Sequence, residues 1–308
     1  MYRKIKELKR FTSEIVWFVI FLPFSACLVL IIRVISPFII IRISRLISNR
    51  IGHYSGNTDM YLCEKSNGIN HCSTTTIDIW FDRTSPCNLQ LRIMLKRMIN
   101  IYPRWLIKPV HVLNNWLPGG DKYNIPKTTS DDRDVLNLIH NSCSTCFFEF
   151  TEKEEARGRL ELKKLGIKDK SKFVCLIVRD SAYLEQQKLD HSAGVNWSYH
   201  DYRDSAIENY ELAAKELVRN GYYVIRMGAK VNKKMNIDNP MIIDYATNGM
   251  RSDFMDVYLG AKCNFCITVG SGFDGICDIF RRPIVEVNHV PICSIYSWGT
   301  VLPVSLFK

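Results

Sequence analysis

Two arginines and one glycine-rich turn carry the most specific chemistry in this sequence. Arg179 follows the apolar run KFVCLIV, and Arg226 closes the run YYVIRMG with Gly228. Gly270-Ser271-Gly272-Phe273-Asp274-Gly275 follows a third run, NFCITV. Glycines let a ligand approach the backbone closely, while unpaired N–H groups and a helix dipole favour an anion. A guanidinium adds paired donors. Taken together, Arg179, Arg226, Gly228, Ser271, Gly272 and Asp274 read as a site for a phosphate-bearing ligand. Either arginine alone fits an ordinary ion pair with Asp180 or Asp244 equally well.

Other motifs compete with this reading. The turn also spells GxGxxG, with Glu286 at the end of the next run, which keeps an NAD(P)-dependent oxidoreductase open. Two details weigh against it. The helix after the turn is short, and little chain remains for the rest of a dinucleotide half. Asp132-Arg133-Asp134 spells the DxD of metal-dependent sugar transferases, but it follows no apolar strand and reads as a helix cap. Cys143/Cys146 and Cys263/Cys266 are CxxC pairs far apart in sequence. The second pair leads into a buried run, so a zinc site is not the expected reading and no metal is assigned.

The elements that must position these residues follow from periodicity. PFIIIRI (37–43) and TTIDIWF (75–81) read as strands, with a loop from Ser44 to Asn57 and a short helical stretch near TDMYLCE. CNLQLRIMLKRMI (87–99) is an amphipathic helix, KPVHVL (108–113) a third strand, and Ser130-Asp131-Asp132 a helix start. TEKEEARGRLELKKLGI (151–167) is a charged connecting helix that stops at Gly166. Beyond it, strands and helices alternate: KFVCLIVRD, SAIENYELAAKELVRNG, YYVIRMG, MIIDYA, RSDFMDVYLGAKC, NFCITVGSGFDG and, as the last strand, RRPIVEVN. Such alternation implies a parallel, doubly wound α/β sheet whose ligands bind beyond the carboxyl ends of its strands. The expected division is a basic, apolar segment at 1–36, an α/β domain at 37–150 and a second at 151–308.

Composition bounds the class. The 308 residues are 47% hydrophobic and 23% charged, which excludes a disordered or fibrous chain. Net charge is +10, yet residues 1–50 hold nine Lys and Arg against two acids, while 51–308 hold 32 against 29. The basic excess thus sits in a very apolar segment, which favours a membrane surface over nucleic acid. Residues 15–32, IVWFVIFLPFSACLVLII, carry no charge and read as a membrane-associated helix, either spanning or interfacial, with a buried core helix as the alternative. An odd number of cysteines, many of them inside apolar runs, reads as reduced and buried thiols.

Longer blocks carry a resemblance. RIGHYSGNTDMYLCE, VRDSAYL, YHDYRDSAIENYELAAKELVRNGYYVIRMG, NPMIIDYA, RSDFMDVYLGAKCNFCITVGSGFDG and FRRPIVEVNHVP together resemble a family of putative bacterial glycosyltransferases of O-antigen and capsule gene clusters, over roughly residues 40–303. The resemblance implies a GT-B-type architecture of two Rossmann-like domains, with the acceptor on the first and a nucleotide-sugar on the second. It implies no metal and no cofactor beyond the donor. It also implies a further segment past Lys308 that crosses back onto the first domain, so truncation is an expectation here.

The implied reaction moves a sugar from a nucleotide-sugar to a lipid-linked glycan acceptor at the cytoplasmic face of the bacterial inner membrane. Such a reaction needs a base for the acceptor hydroxyl and positive charge for the leaving diphosphate. His53, expected in a strand-end loop of the first domain, is the leading base, with Asp180, His200 and Asp201 as competitors. The alternative from another class is a non-catalytic, membrane-associated nucleotide- or glycan-binding or assembly protein.

Overall fold

Runs of β-branched and aromatic residues form the strands of two parallel sheets in a computed structural model. It describes residues 20–70, 72–126, 134, 136–141, 146–183, 185, 198–290 and 304–306. The chain divides into two compact units. One comprises Met1–Asn49, Gly68–Cys87 and Leu95–Lys127, the other Arg50–Asn67, Asn88–Met94 and Thr128–Lys308.

In the first unit β1 (Ile39–Leu46), β2 (Thr75–Asp82) and β3 (Asn100–Ile101) form a parallel sheet in that order. Ile39 stands opposite Thr75 and Leu46 opposite Asp82. Arg42 and Asp78 are register partners, and the buried guanidinium grips the carboxylate through two bonds of 2.7 and 2.8 Å. A third donor of Arg42 reaches the Asn70 carbonyl, so the charge is fully engaged inside the sheet. Helix α1, residues 20–34, and helix α4 (Arg104–Trp116) pack on these strands. Val29 and Ile32 of α1 and Ile107 and Val110 of α4 share one core with Ile40, Ile43 and Phe81.

The run KPVHVL is not a strand but the middle of α4, with Pro109 buried inside it. Val110 follows the helical spacing set by Ile107, and the short Asn100–Ile101 supplies the third strand instead. Among the described residues no helix is long and apolar enough to cross a membrane; residues 15–19 of the apolar run lie outside them.

The second unit holds six parallel strands in the order β6-β5-β4-β7-β8-β9. These are β4 (Lys172–Ile177), β5 (Tyr222–Met227), β6 (Ile242–Ile243), β7 (Phe265–Thr268), β8 (Ile284–Val287) and β9 (Val304–Leu306). The last strand is therefore β9, beyond the run RRPIVEVN, paired parallel to β8. Phe173, Cys175, Ile177, Tyr223, Ile225 and Met227 line one sheet face against Phe254, Tyr258 and Leu259 of helix α8 (Asp253–Lys262). Leu176, Val178 and Val224 line the other, against Ala214 of α7 (Glu211–Arg219). Helix α6 (Glu152–Lys164) opens with a reciprocal Thr151–Glu154 capping box and stops before Gly166, whose φ is +84°.

Helix α2 (Ile51–Ser66) belongs to this unit, although it follows β1 in sequence. The loop expected over Ser44–Asn57 is thus helical from Ile51. The first part of α3 (Leu89–Met98) belongs here too: Asn88 caps it by accepting from Leu91 N–H and donates to the Asp253 carbonyl. The helix start expected at Ser130–Asp132 lies outside the described residues. Asp134 caps the short α5 (Leu138–Asn141), accepting from the N–H groups of Leu138 and Ile139 at 2.7 Å.

Candidate active site

The strand order fixes where a ligand fits. From β4 the chain moves outward through β5 and β6, then returns to place β7 on the other side of β4. Connections leave in opposite directions at the carboxyl ends of β4 and β7, and an open α/β sheet has its crevice there. Val178-Arg179-Asp180 leaves β4 at this point, and Val269-Gly270-Ser271-Gly272 leaves β7.

The segment after residue 198 ties the two ends together. Arg203 donates to the Gly270 carbonyl at 2.7 Å. Arg179 pairs with Asp204 at 3.1 Å, both partly buried, and its carbonyl accepts from Ser205 N–H. Burial raises the Asp204 pKa, and the Arg179 hydrogen bond opposes that shift. Asn288, just past β8, donates to Tyr210 Oη, which donates to Ser205 Oγ.

The glycine turn is built around its own carboxylate. Asp274 Oδ2 accepts from Thr268 Oγ1 at 2.9 Å and from Ser271 N–H at 2.8 Å. The Gly270 N–H goes to Thr268 Oγ1, and the Phe273 N–H to Ser271 Oγ. Asp274 is fully buried, which pushes its pKa up to about 6 against the pull of these donors. Helix α9 (Asp274–Ile279) has only six residues. Gly270 has φ +76°, and a Cβ there would lie 2.8 Å from His289 Cε1. Side chain and backbone thus both restrict this position to glycine. Buried His289 sits 3.5 Å from the Glu286 carboxylate.

Helix α2 brings its N-terminus against this turn. A Cβ on Gly52 would lie 2.9 Å from Gly272 Cα, and one on Gly275 2.9 Å from Ser55 Oγ. Arg50, at the N-cap, contributes no side-chain cap, and no acid stands in the first turn. The positive end of the α2 dipole therefore meets the crevice without an acidic side chain of its own helix. His53 lies in that first turn, half-buried, one residue from the Gly52–Gly272 contact. Deeper in, Arg281 holds Asp59 of α2 at 2.8 and 3.2 Å. Burial raises Asp59 to about 6 despite that pair.

The sequence-expected residues separate into those at the crevice and those used elsewhere. Arg179, Ser271, Gly272 and His53 gather at the crevice, with His53 in a helix of the second unit rather than a loop of the first. Arg226 is 1% exposed and donates to the Lys233 carbonyl and to Asp244, which also accepts from Met235 N–H. Asp180 accepts from Ala182 and Asn232 N–H groups and so pins the loop after β5. Gly228 opens that loop, where a Cβ would lie 2.7 Å from Val231. Asp201 is exposed in the 3₁₀ turn Ser198–Arg203; His200 lies in the same turn, and its side chain is outside the described residues.

Sequence reasoning missed Arg203, Asp204 and His289. Arg203 and Asp204 stand in a polar stretch whose partners, Gly270 and Arg179, only the fold brings near, and His289 lies just past the run RRPIVEVN, three residues from Glu286. Cys175, Cys263, Cys266 and Cys277 are buried free thiols, with Cys175 pushed up by burial; Cys143 lies outside the described residues. Among the described residues no group of three or more His, Cys, Asp or Glu side chains is placed to hold a metal ion.

No family model matches the chain, and no curated protein matches it in sequence. Solved structures align weakly. An ADP-heptose LPS heptosyltransferase II from E. coli aligns at 12% identity and TM-score 0.43, covering 84% of this chain and 88% of that one. A glycosyl transferase family 9 structure from Veillonella parvula aligns at 12% identity and TM-score 0.44, covering 80% of each chain. The E. coli heptosyltransferase WaaC, with ADP-2-deoxy-2-fluoro heptose, aligns at 10% identity and TM-score 0.37, covering 80% of this chain and 88% of that one. All three scores lie below 0.5, a range in which unrelated α/β folds also superpose.

Proposed function

We propose that the chain is a glycosyltransferase of GT-B type, moving a sugar from a nucleotide-sugar to a lipid-linked glycan in bacterial surface polysaccharide synthesis. One observation carries the reading: the α2 N-terminus, bearing His53, meets the glycine turn beside Arg179 and Arg203 at the sheet's switch point. A diphosphate leaving group needs cations and backbone donors, and here both converge. The sequence resemblance agrees with that chemistry. His53 is the proposed base for the acceptor hydroxyl; Arg179, Arg203, Ser271 and Gly272 are the proposed diphosphate contacts. Arg226, Asp180 and Asp274 hold the surrounding loops. The proposed place of work is the cytoplasmic face of the inner membrane, with the basic, apolar N-terminal segment on the lipid.

The test is a thermal-shift screen against UDP-, GDP-, CMP- and TDP-sugars, followed by turnover with the donor that binds. His53→Ala should lower turnover by about 10²–10⁴-fold while leaving donor affinity intact. Turnover that survives the substitution would remove His53 as the base. Donor binding without turnover, with any acceptor, would favour the alternative, a membrane-associated nucleotide-binding or assembly protein.

A further inference from the structure

Apart from buried Ser25 and from Arg33, every residue of helix α1 is apolar. Val29 and Ile32 face the first unit's core, while Ile20, Phe24, Cys27, Ile31 and Val34 form the opposite stripe at helical spacing. Soluble helices expose polar residues there, and a helix apolar all round is buried in a core or in lipid.

Helix α4 extends that surface. Phe21 contacts Trp105 with ring centroids 5.2 Å apart, and Arg33 donates to Asn114 and to the Leu117 and Pro118 carbonyls. The two helices therefore run side by side in the same direction, on the same core. Trp105 and Trp116 lie about three turns apart on α4, which puts them on one face. Ile20, Phe24, Ile31, Val34, Phe38, Trp105 and Trp116 are each 51–79% exposed. Isolated exposed apolar residues are ordinary, but a continuous patch marks a docking surface.

Charge identifies the occupant. The first unit carries fifteen Lys and Arg against five Asp and Glu, a net +10. The second carries 26 of each, a net of zero. The chain's entire charge excess therefore resides in the unit that exposes the patch. Arg33, Arg104, Lys108 and Lys122 stand on or beside the two helices. Apolar and tryptophan side chains flanked by cations match the interface of an anionic bilayer.

We infer that the outward faces of α1 and α4 lie flat on an anionic phospholipid surface, with Phe24, Ile31, Trp105 and Trp116 inserted to the acyl boundary. Both helices then dock in the plane of the interface, and neither crosses it. The inference deepens the membrane side of the proposed function, and it stands on geometry and charge without the transfer reaction.

The experiment is flotation of the full chain with vesicles of phosphatidylcholine, with or without 30% phosphatidylglycerol. The chain should float with the anionic vesicles, bind those without phosphatidylglycerol much more weakly, and release partly as salt is raised. Phe24→Asp/Ile31→Asp and Trp105→Ser/Trp116→Ser should each weaken binding about tenfold or more. Each side chain is more than half exposed, so circular dichroism should show both variants folded, while loss of the Phe21–Trp105 contact should lower the melting temperature of the tryptophan variant modestly. Leu212→Asp, an exposed apolar position of the second unit, should bind as the parent does. Absence of flotation, or flotation unaffected by both double substitutions, overturns the inference. So does a dimer that the same substitutions dissociate while vesicles are not bound. Donor turnover measured without vesicles reports separately on the transfer reaction, so the two readings fail independently.

Discussion

Gly52 and Gly56 stand one turn apart on α2, and the structure gives alanine opposite effects at the two positions. Replacing a helical glycine by alanine ordinarily stabilises by up to about 1 kcal/mol. At Gly56 a new Cβ meets nothing within 4 Å, so that gain should appear in full. At Gly52 the same atom would lie 2.9 Å from Gly272 Cα and 3.1 Å from Gly272 O. Ordinary contact begins near 3.4 Å, so backbone must move by a few tenths of an ångström on one side. Neither side yields cheaply, because the turn is held by the Thr268–Asp274–Ser271 bonds and α2 by Asp59–Arg281. Overpacking of this kind costs about 1–3 kcal/mol.

Gly52→Ala should therefore melt below Gly56→Ala by about 2–12 °C, at about 2–4 °C per kcal/mol for a unit of this size. Differential scanning calorimetry of both variants and the parent measures it directly. The propensity gain is smaller in the first turn, where Gly52 stands, than at Gly56, so a difference beyond about 1 kcal/mol reports the α2–turn contact. Donor affinity should fall in Gly52→Ala and stay at the parental value in Gly56→Ala. If Gly52→Ala melts at or above Gly56→Ala, the contact that defines the candidate site does not exist.

Other outcomes follow from the same geometry. Arg203→Ala should weaken nucleotide-sugar affinity by about 10- to 150-fold, the loss of one charge-assisted contact worth roughly 1.5–3 kcal/mol, read by titration calorimetry. Arg226→Ala should instead destabilise the second unit by about 3–5 kcal/mol, because it strands the largely buried Asp244; chemical denaturation reads this. Asp59, Asp256 and Asp274 each have a folded pKa raised to about 6, above the usual carboxylate value, with burial as the largest cause. The folded state holds these protons longer than the unfolded chain, so stability falls as pH rises from about 4 through about 6. Asp274→Asn keeps an acceptor for Ser271 and Thr268 without the charge. It should flatten that slope in melting temperature against pH, and an unchanged slope would assign the dependence to other groups.

The alternation of strands in the second half was legible because each run is bounded by a glycine or a polar cluster, as at Gly166 and Gly221. KPVHVL was not, since three β-branched or proline positions imitate a strand while the actual determinant is the face it shares with Ile107. At the candidate site, the turn and Arg179 were visible because strand ends are visible. Arg226 was misleading: its position is at a strand end, but Asp244 and the Lys233 carbonyl, brought back by a later loop, enclose it. Local spacing finds where a guanidinium emerges and not what folds over it. His53 illustrates the converse. The sequence singles out the residue, yet its helix belongs to the unit that carries the donor turn, because Gly52, Ser55 and Asp59 fit Gly272, Gly275 and Arg281.

That membership of α2 bears on how the chain is made. Synthesis from the ribosome delivers residues 50–67 and 88–94 long before β4 emerges, and both must wait for the strands they complete. Tyr54, Thr58, Asp59 and Met60 spend that interval without the surfaces that bury them in the finished protein. A gene fragment beginning at residue 128 would encode every strand of the larger sheet and still lack one wall of its glycine turn. Recombination that exchanged the C-terminal half would put Asp59 against whatever residue the new half carries in place of Arg281.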